Sequence, residues 1–179
     1  MDKLQSRKLV KDKLELLNDK DLLSKAICKK VQVLNLDCKS VMLYSALASE
    51  VNVDKLIEYF IPKCDVYLPK VKGNEIVVIK VDKYTPYTIG AFGIKEPTGK
   101  EIKPEDAKID VCITPLLGFD ESLNRLGKGK GYYDKFFAKC NARKIGVAFE
   151  VQKLDAIDTN PYDVKLDMVI TEDRIYENN

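Results

Sequence analysis

The chain has 179 residues, 45% of them hydrophobic and 32% charged, and its 30 basic and 28 acidic side chains leave a formal net charge of +2. That length fits one domain that buries most of its unfolded surface, and the near-balanced charge excludes the global signature of a nucleic-acid binder. No apolar run approaches the roughly 18 residues of a membrane span, and the opening MDKLQSRKLVKDK lacks the hydrophobic stretch of a signal peptide.

In residues 2–17, Lys3, Arg7, Val10, Leu14 and Leu17 recur at three- and four-residue steps, which places them on one face of a helix. The basic end of that stripe either snorkels at the edge of the core or faces a ligand. A second helix, capped by Asn18 or Asp19, runs to about Leu36 on the stripe Leu23, Ile27, Val31 and Leu34. Val41 to Leu47 reads as a short strand. Val53 to Phe60 is helical, capped by Asn52 and ended ahead of Pro62. Val66–Pro69 and Ile76–Val81 are strands around a turn at Lys72-Gly73-Asn74.

Residues 83–108 contain Pro86, Gly90, Gly93, Pro97, Gly99 and Pro104 and read as one long irregular loop, a feature that is usually functional in a compact domain. Ile109–Thr114 and Lys144–Phe149 are buried-strand runs on either side of a glycine-rich segment and a helix over Tyr132–Cys140. Val164–Thr171 supplies the last strand. Strands alternating with helices predict an α/β fold: a single domain over 1–179, with a mainly parallel central sheet flanked by helices on both faces. No repeat, low-complexity tract or linker interrupts it.

Histidine is absent, which removes Ser-His-Asp, Cys-His and His-ligated metal mechanisms. Chemistry must then rest on carboxylates, lysines, arginines, tyrosines, backbone amides or an oxygen-held metal, an inventory that suits phosphoryl transfer. Five scattered cysteines without a CxxC pair predict reduced thiols in a cytosol-like compartment rather than a zinc site.

The segment Arg125 to Asp134, RLGKGKGYYD, alternates three glycines with two lysines ahead of a helix. Glycine permits close backbone approach to a ligand, and a helix N-terminus with two ammonium groups suits an anion. It is neither a Walker A motif nor the dinucleotide fingerprint, since residue 132 is Tyr. Either it binds phosphate, or it is a solvated surface loop. Asp134, in the first helical turn, would repel a bound phosphate unless a divalent cation lay between them; phosphate-bound Mg²⁺ takes one or two protein carboxylates.

The run PLLGFDESLNRLGKGKGYYDKF (Pro115–Phe136) resembles the signature of the 5-formyltetrahydrofolate cyclo-ligase family. LYSALASEVNVDKLI (Leu43–Ile57), FGIKEP (Phe92–Pro97), IGVAFEVQ (Ile145–Gln152) and DVKLDMVITED (Asp163–Asp173) resemble further blocks of that family in the family's order. The resemblance implies ATP- and Mg²⁺-dependent closure of 5-formyltetrahydrofolate to 5,10-methenyltetrahydrofolate, with release of ADP and phosphate through a phosphorylated formyl intermediate. It implies an ATP site made of Lys3, Arg7, Arg125, Leu126, Gly127, Lys128, Gly129, Lys130, Gly131, Tyr132 and Tyr133. It assigns the folate to Ser45, Glu50 and residues Lys128, Gly129, Lys130, Gly131 and Tyr132, with Lys128, Lys130 and Tyr132 catalytic.

The metal falls to Asp134 and Asp167, the latter otherwise an exposed acid entering a strand. Glu50 lies just past a strand, where open α/β sheets collect ligands, and its carboxylate can accept two hydrogen bonds from a pterin edge. Phe119 and Asp120 are expected to shape the loop. The partners expected are small molecules, with no nucleic acid and no membrane, acting on a cytoplasmic monomer. The rival is a non-catalytic relative that keeps the fold and binds nucleotide or RNA.

Overall fold

The computed structural model describes residues 1–90 and 93–178. Helix α1 (Lys3–Leu16) starts in a capping box: Asp2 accepts the Gln5 N–H at 2.8 Å, and Gln5 accepts the Asp2 N–H at 3.2 Å. Helix α2 (Lys20–Val33) follows Asp19, which turns the chain in the left-handed region at φ 59° and makes no side-chain cap. It stops short of Leu36, and Asn35 is left-handed at φ 47°.

Strand β1 (Ser40–Met42) is shorter than its apolar run, with one further bond from the Leu43 N–H to the Tyr67 carbonyl. Helix α3 (Asp54–Phe60) begins where Asn52 accepts the Asp54 N–H at 2.9 Å. Strands β2 (Asp65–Lys72) and β3 (Glu75–Val81) form an antiparallel hairpin whose register pairs Lys72 with Glu75. Gly73 takes φ 65° in the two-residue loop between them, a conformation that favours glycine.

The expected irregular loop holds more order than its composition suggests. Strands β4 (Tyr87–Ile89) and β5 (Lys95–Pro97) pair with each other, and β6 (Glu101–Ile102) adds to the edge of the main sheet beside β3. Phe92, the first residue of the FGIKEP block, lies outside the described residues.

Strand β7 (Val111–Thr114) is buried at all four positions, as a central parallel strand must be. A small hairpin follows, β8 (Gly118–Phe119) against β9 (Arg125–Leu126), and leads into helix α4 (Tyr132–Lys139). Strands β10 (Arg143–Val147), β11 (Met168–Ile170) and β12 (Ile175–Glu177) complete the chain.

The main sheet runs β12-β11-β10-β7-β1-β2-β3-β6. The four central pairings are parallel and the three outer ones antiparallel, so the sheet is mostly parallel, with antiparallel edges. Alternation along the strands sends Val41, Val66, Val111 and Ile113 to the face covered by α1, α2 and α3. Met42, Tyr67, Val78 and Cys112 face α4 through Phe136 and Phe137. Each such fully buried side chain contributes about 1.5–3 kcal/mol of transfer free energy, which fixes α4 to the sheet.

From β1 the chain passes to β2 on one side, whereas from β7 it passes to β10 on the other. Strand order therefore reverses between β1 and β7, and the carboxyl ends of those two strands frame the crevice where an α/β sheet receives ligands. No helix among the described residues is long and apolar enough to cross a membrane.

Candidate active site

The polypeptide leaving β7 is pinned before it reaches the glycines. Gln152 donates to the carbonyls of Leu116 and Leu117 at 3.0 and 2.9 Å. Asp120 is buried and accepts the Asn124 N–H at 3.0 Å, the Asn124 amide at 2.9 Å and the Ile157 N–H at 2.9 Å. The carboxylate is thus fully employed as a brace. Leu126, buried at the end of β9, lends its carbonyl to the Leu117 N–H at 2.9 Å. A rigid base therefore carries the exposed tip, Lys128-Gly129-Lys130.

A close guanidinium accounts for Gly127, and backbone conformation accounts for Gly129 and Gly131. A Cβ on Gly127 would sit 3.2 Å from Nη1 and 3.4 Å from Nη2 of Arg125. A Cβ on Gly129 would meet Arg7 at 3.5 Å, and Gly129 also holds φ 105°. Gly131 caps α4 at φ 68° with open space around it, so there the requirement is the backbone conformation itself. Arg7 reaches the loop from α1, its Nε donating to the Gly127 carbonyl at 2.9 Å. The basic stripe on the first helix is therefore a loop contact and does not merely snorkel.

Arg125 lies under the loop and not on its surface. Its side chain is 5% exposed, with Nη1 3.4 Å from the Pro115 carbonyl and Nη2 3.4 Å from Oδ1 of Asp134. The guanidinium also stacks 5.5 Å from the centre of the Tyr133 ring. Its buried Nε has no acceptor, and such an orphan donor is costly.

Asp134 also accepts the Val164 N–H at 3.2 Å. That bond brings the neighbouring Asp163 to the same corner, where its carboxylate pairs with Lys3 of α1 and accepts the Asn160 N–H at 2.7 Å. Asp167, expected beside Asp134, is elsewhere. It accepts the Lys144 N–H at 2.7 Å at the amino ends of β10 and β11, in a shallow hollow with Asn141, Arg143, Glu177 and Asn178. Lys144 pairs in register with Cys112, three residues before Pro115, so the two rims differ by about 10 Å along the strands. The three residues between Asp163 and Asp167 span that separation. Asp163 is the acid that the fold brings to this corner and that sequence reasoning did not single out; the polar turn NPYD, in which Tyr162 N–H bonds to Asn160 at 2.9 Å, was the available sign of a loop acid.

Across the switch point, Glu50 and Lys128 form an ion pair. The other oxygen of Glu50 accepts the Leu47 N–H at 2.9 Å, which holds the carboxylate at the carboxyl end of β1. Lys130 has no ion-pair partner among the described residues. Ser45 donates to the Lys95 carbonyl at 2.8 Å and ties β5 to the same strand end. Tyr132 is half-buried at the first position of α4, between the loop and the Phe136–Phe137 cluster. Burial first, and then the charge of Glu50, pushes the Tyr44 phenol well above the ordinary tyrosine range. Burial, Cys112 and Glu50 do the same to Tyr133, against an opposing pull from Arg125. Both phenols stay neutral and can donate; Tyr44 does so to the Val51 carbonyl at 2.7 Å.

The crevice thus joins a fixed carboxylate, two loop ammonium groups, a helix N-terminus whose first-turn N–H groups have no intrahelical acceptor, and a pair of acids at its flank. One wall suits a hydrogen-bond donor array; the other suits an anion with a cation beside it.

Residues 2–172 match the model of the 5-formyltetrahydrofolate cyclo-ligase family. A Schizosaccharomyces pombe protein named Probable 5-formyltetrahydrofolate cyclo-ligase is 33% identical, over 88% of each chain. A Mycoplasma pneumoniae 5-formyltetrahydrofolate cyclo-ligase is 33% identical over 75% of this chain and 74% of its own. Among solved structures, Aquifex aeolicus 5,10-methenyltetrahydrofolate synthetase superposes with a TM-score of 0.86 at 32% identity, covering 99% of this chain and 93% of that one.

Proposed function

The chain belongs to the 5-formyltetrahydrofolate cyclo-ligase family, and on that premise we propose that it closes 5-formyltetrahydrofolate to 5,10-methenyltetrahydrofolate while ATP is split to ADP and phosphate. The observation that carries this reading is the meeting of Glu50 and Lys128 over the crevice between β1 and β7. A pterin-type acid and a phosphate-type loop share one site there.

In this reading Glu50 accepts two hydrogen bonds from the amino and ring N–H groups of the pterin, with Ser45 at the edge. The glycine loop, Lys128, Lys130 and Lys3 receive the phosphates, and Arg7 and Arg125 hold the loop in shape from either side. The formyl oxygen attacks the γ-phosphorus as ADP leaves, giving a phosphorylated imidate. N10 then adds to the activated carbon, loses its proton, and phosphate departs with the former formyl oxygen. Lys128 and Lys130 offset the charge that grows on the moving phosphoryl group, and such electrostatic stabilisation usually contributes most to the rate. Tyr132 lies between the two substrates and stacks or hydrogen-bonds with the folate.

A divalent cation fits the flank of this site. No cluster of three acidic or sulfur ligands occurs among the described residues, but Mg²⁺ bound chiefly by phosphate needs only one or two carboxylates. Asp134 and Asp163 would hold it, with Asp163 in the place that the sequence assigned to Asp167. Bound Mg²⁺ supplies charge neutralisation and orientation of the phosphates.

The test is turnover. Purified protein with ATP, Mg²⁺ and 5-formyltetrahydrofolate is expected to develop the near-ultraviolet absorbance of the conjugated amidinium product, one ADP appearing per ring closed. A folded protein that binds both compounds and makes no product would overturn the reading in favour of a non-catalytic relative.

A further inference from the structure

The two loop lysines are not equivalent. Lys130 makes no ion pair among the described residues, whereas Lys128 is tied to Glu50. Glu50 has a side chain only 10% exposed and is anchored through the Leu47 N–H, while the Lys128 side chain is 40% exposed on a glycine-flanked tip. The carboxylate is the fixed member and the ammonium the movable one.

A pterin edge presenting two parallel N–H groups needs both oxygens of a carboxylate. The oxygen Oε1, which faces the loop, is the one that Lys128 holds. A phosphate arriving at the loop offers the same ammonium a more highly charged partner. Each substrate therefore acts on one end of the same ion pair: a pterin displaces Lys128 from Glu50, and a nucleotide phosphate draws it away.

We propose that the Glu50–Lys128 ion pair is a latch that couples the two substrates, so that nucleotide binding releases the folate acid and folate binding releases the phosphate lysine. This rests on the function proposed above and adds to it a positive coupling between the two sites. Coupling of this kind is reciprocal by thermodynamic necessity. The nucleotide should tighten folate binding by about fivefold or more, and the folate should tighten nucleotide binding by the same factor.

The experiment measures the Kd of 5-formyltetrahydrofolate by calorimetry, with and without saturating Mg²⁺ and a non-hydrolysable ATP analogue, on the full chain and on Lys128→Met. The parent should show the fivefold gain in both directions. In Lys128→Met, folate alone should bind as tightly as it does to the nucleotide-loaded parent, and the coupling factor should fall to about one. That gain without nucleotide is readable even if the variant binds the analogue poorly. A merely structural loop lysine would not produce it, since its loss could only weaken binding.

A parent that turns over but binds its substrates independently would overturn the latch and leave the proposed function standing. So would a Lys128→Met protein whose folate affinity is unchanged or weaker. A parent that binds no folate under any condition would overturn both.

Discussion

Arg125 and Asp134 meet beneath the glycine loop, Nη2 to Oδ1 at 3.4 Å, with the guanidinium almost wholly buried. The same oxygen of the acid at the head of α4 also accepts the Val164 N–H, so its direction is set before any ligand arrives.

Asp134→Asn should raise the Mg²⁺ concentration needed for half-maximal turnover at least tenfold, because it removes a full charge from a site with few protein ligands. Asp163→Asn should shift the requirement in the same direction. Asp167→Asn should leave it unchanged, as that acid faces Lys144 at the opposite rim. Titrating Mg²⁺ against activity for the three variants separates the assignments; a shift in the Asp134 and Asp167 variants but not in the Asp163 variant would return the metal to the position expected from sequence.

Lys130→Ala should leave the fold intact, since the residue is exposed. Turnover should fall roughly 10²-fold, as for loss of a donor aimed at developing charge, while folate affinity changes little. Steady-state kinetics beside direct folate binding checks this, and equal ATP kinetics in variant and parent would remove Lys130 from the mechanism.

Gly129→Ala should be felt in both binding and stability. A side chain at φ 105° is strained, costing on the order of 1–3 kcal/mol, and the new methyl would lie against the Arg7 guanidinium. We expect Tm to fall by a few degrees and the KM for ATP to rise. The paired measurement is thermal melting with ATP kinetics; a variant unchanged in both would show that the loop does not hold this conformation in solution.

Stability should decline above pH 9. Burial raises the Cys28 thiol from 9.0 to about 11 and the Cys112 thiol to about 12. Burial, then the facing Cys64 thiol, raises Cys38 to about 12. Between pH 9 and 12 the unfolded chain loses these protons while the folded chain keeps them, so the unfolded state binds fewer protons and stability falls as pH rises. Urea midpoints at pH 8, 9 and 10 should decrease in that order, and a flat series would count against the buried thiols as described.

Local chemistry makes much of this molecule legible. The β2–β3 hairpin follows from Gly73 between two apolar runs, α3 from Asn52, and the central strand from the unbroken VCIT run. The edges are not legible. Strand β12, with only Tyr176 buried, and β6, two residues long, exist because a neighbouring strand offers unpaired backbone, which no local pattern encodes. The proline- and glycine-rich span around β4 and β5 reads as irregular for the same reason. Periodicity also cannot tell which of two acids four residues apart will lie at which rim, because that depends on where the chain crosses from the NPYD turn into β11.

The bond from Arg7 to the Gly127 carbonyl spans 120 positions of sequence. A chain emerging from the ribosome makes α1 before the glycine loop, so the braced loop has no partial form: it appears only when α1 closes on a segment synthesised more than a hundred residues afterwards. On the function proposed above, nucleotide binding is therefore a direct reporter of completed folding. A variant whose first helix undocks should lose it while the sheet, held by its own strand pairings, still stands.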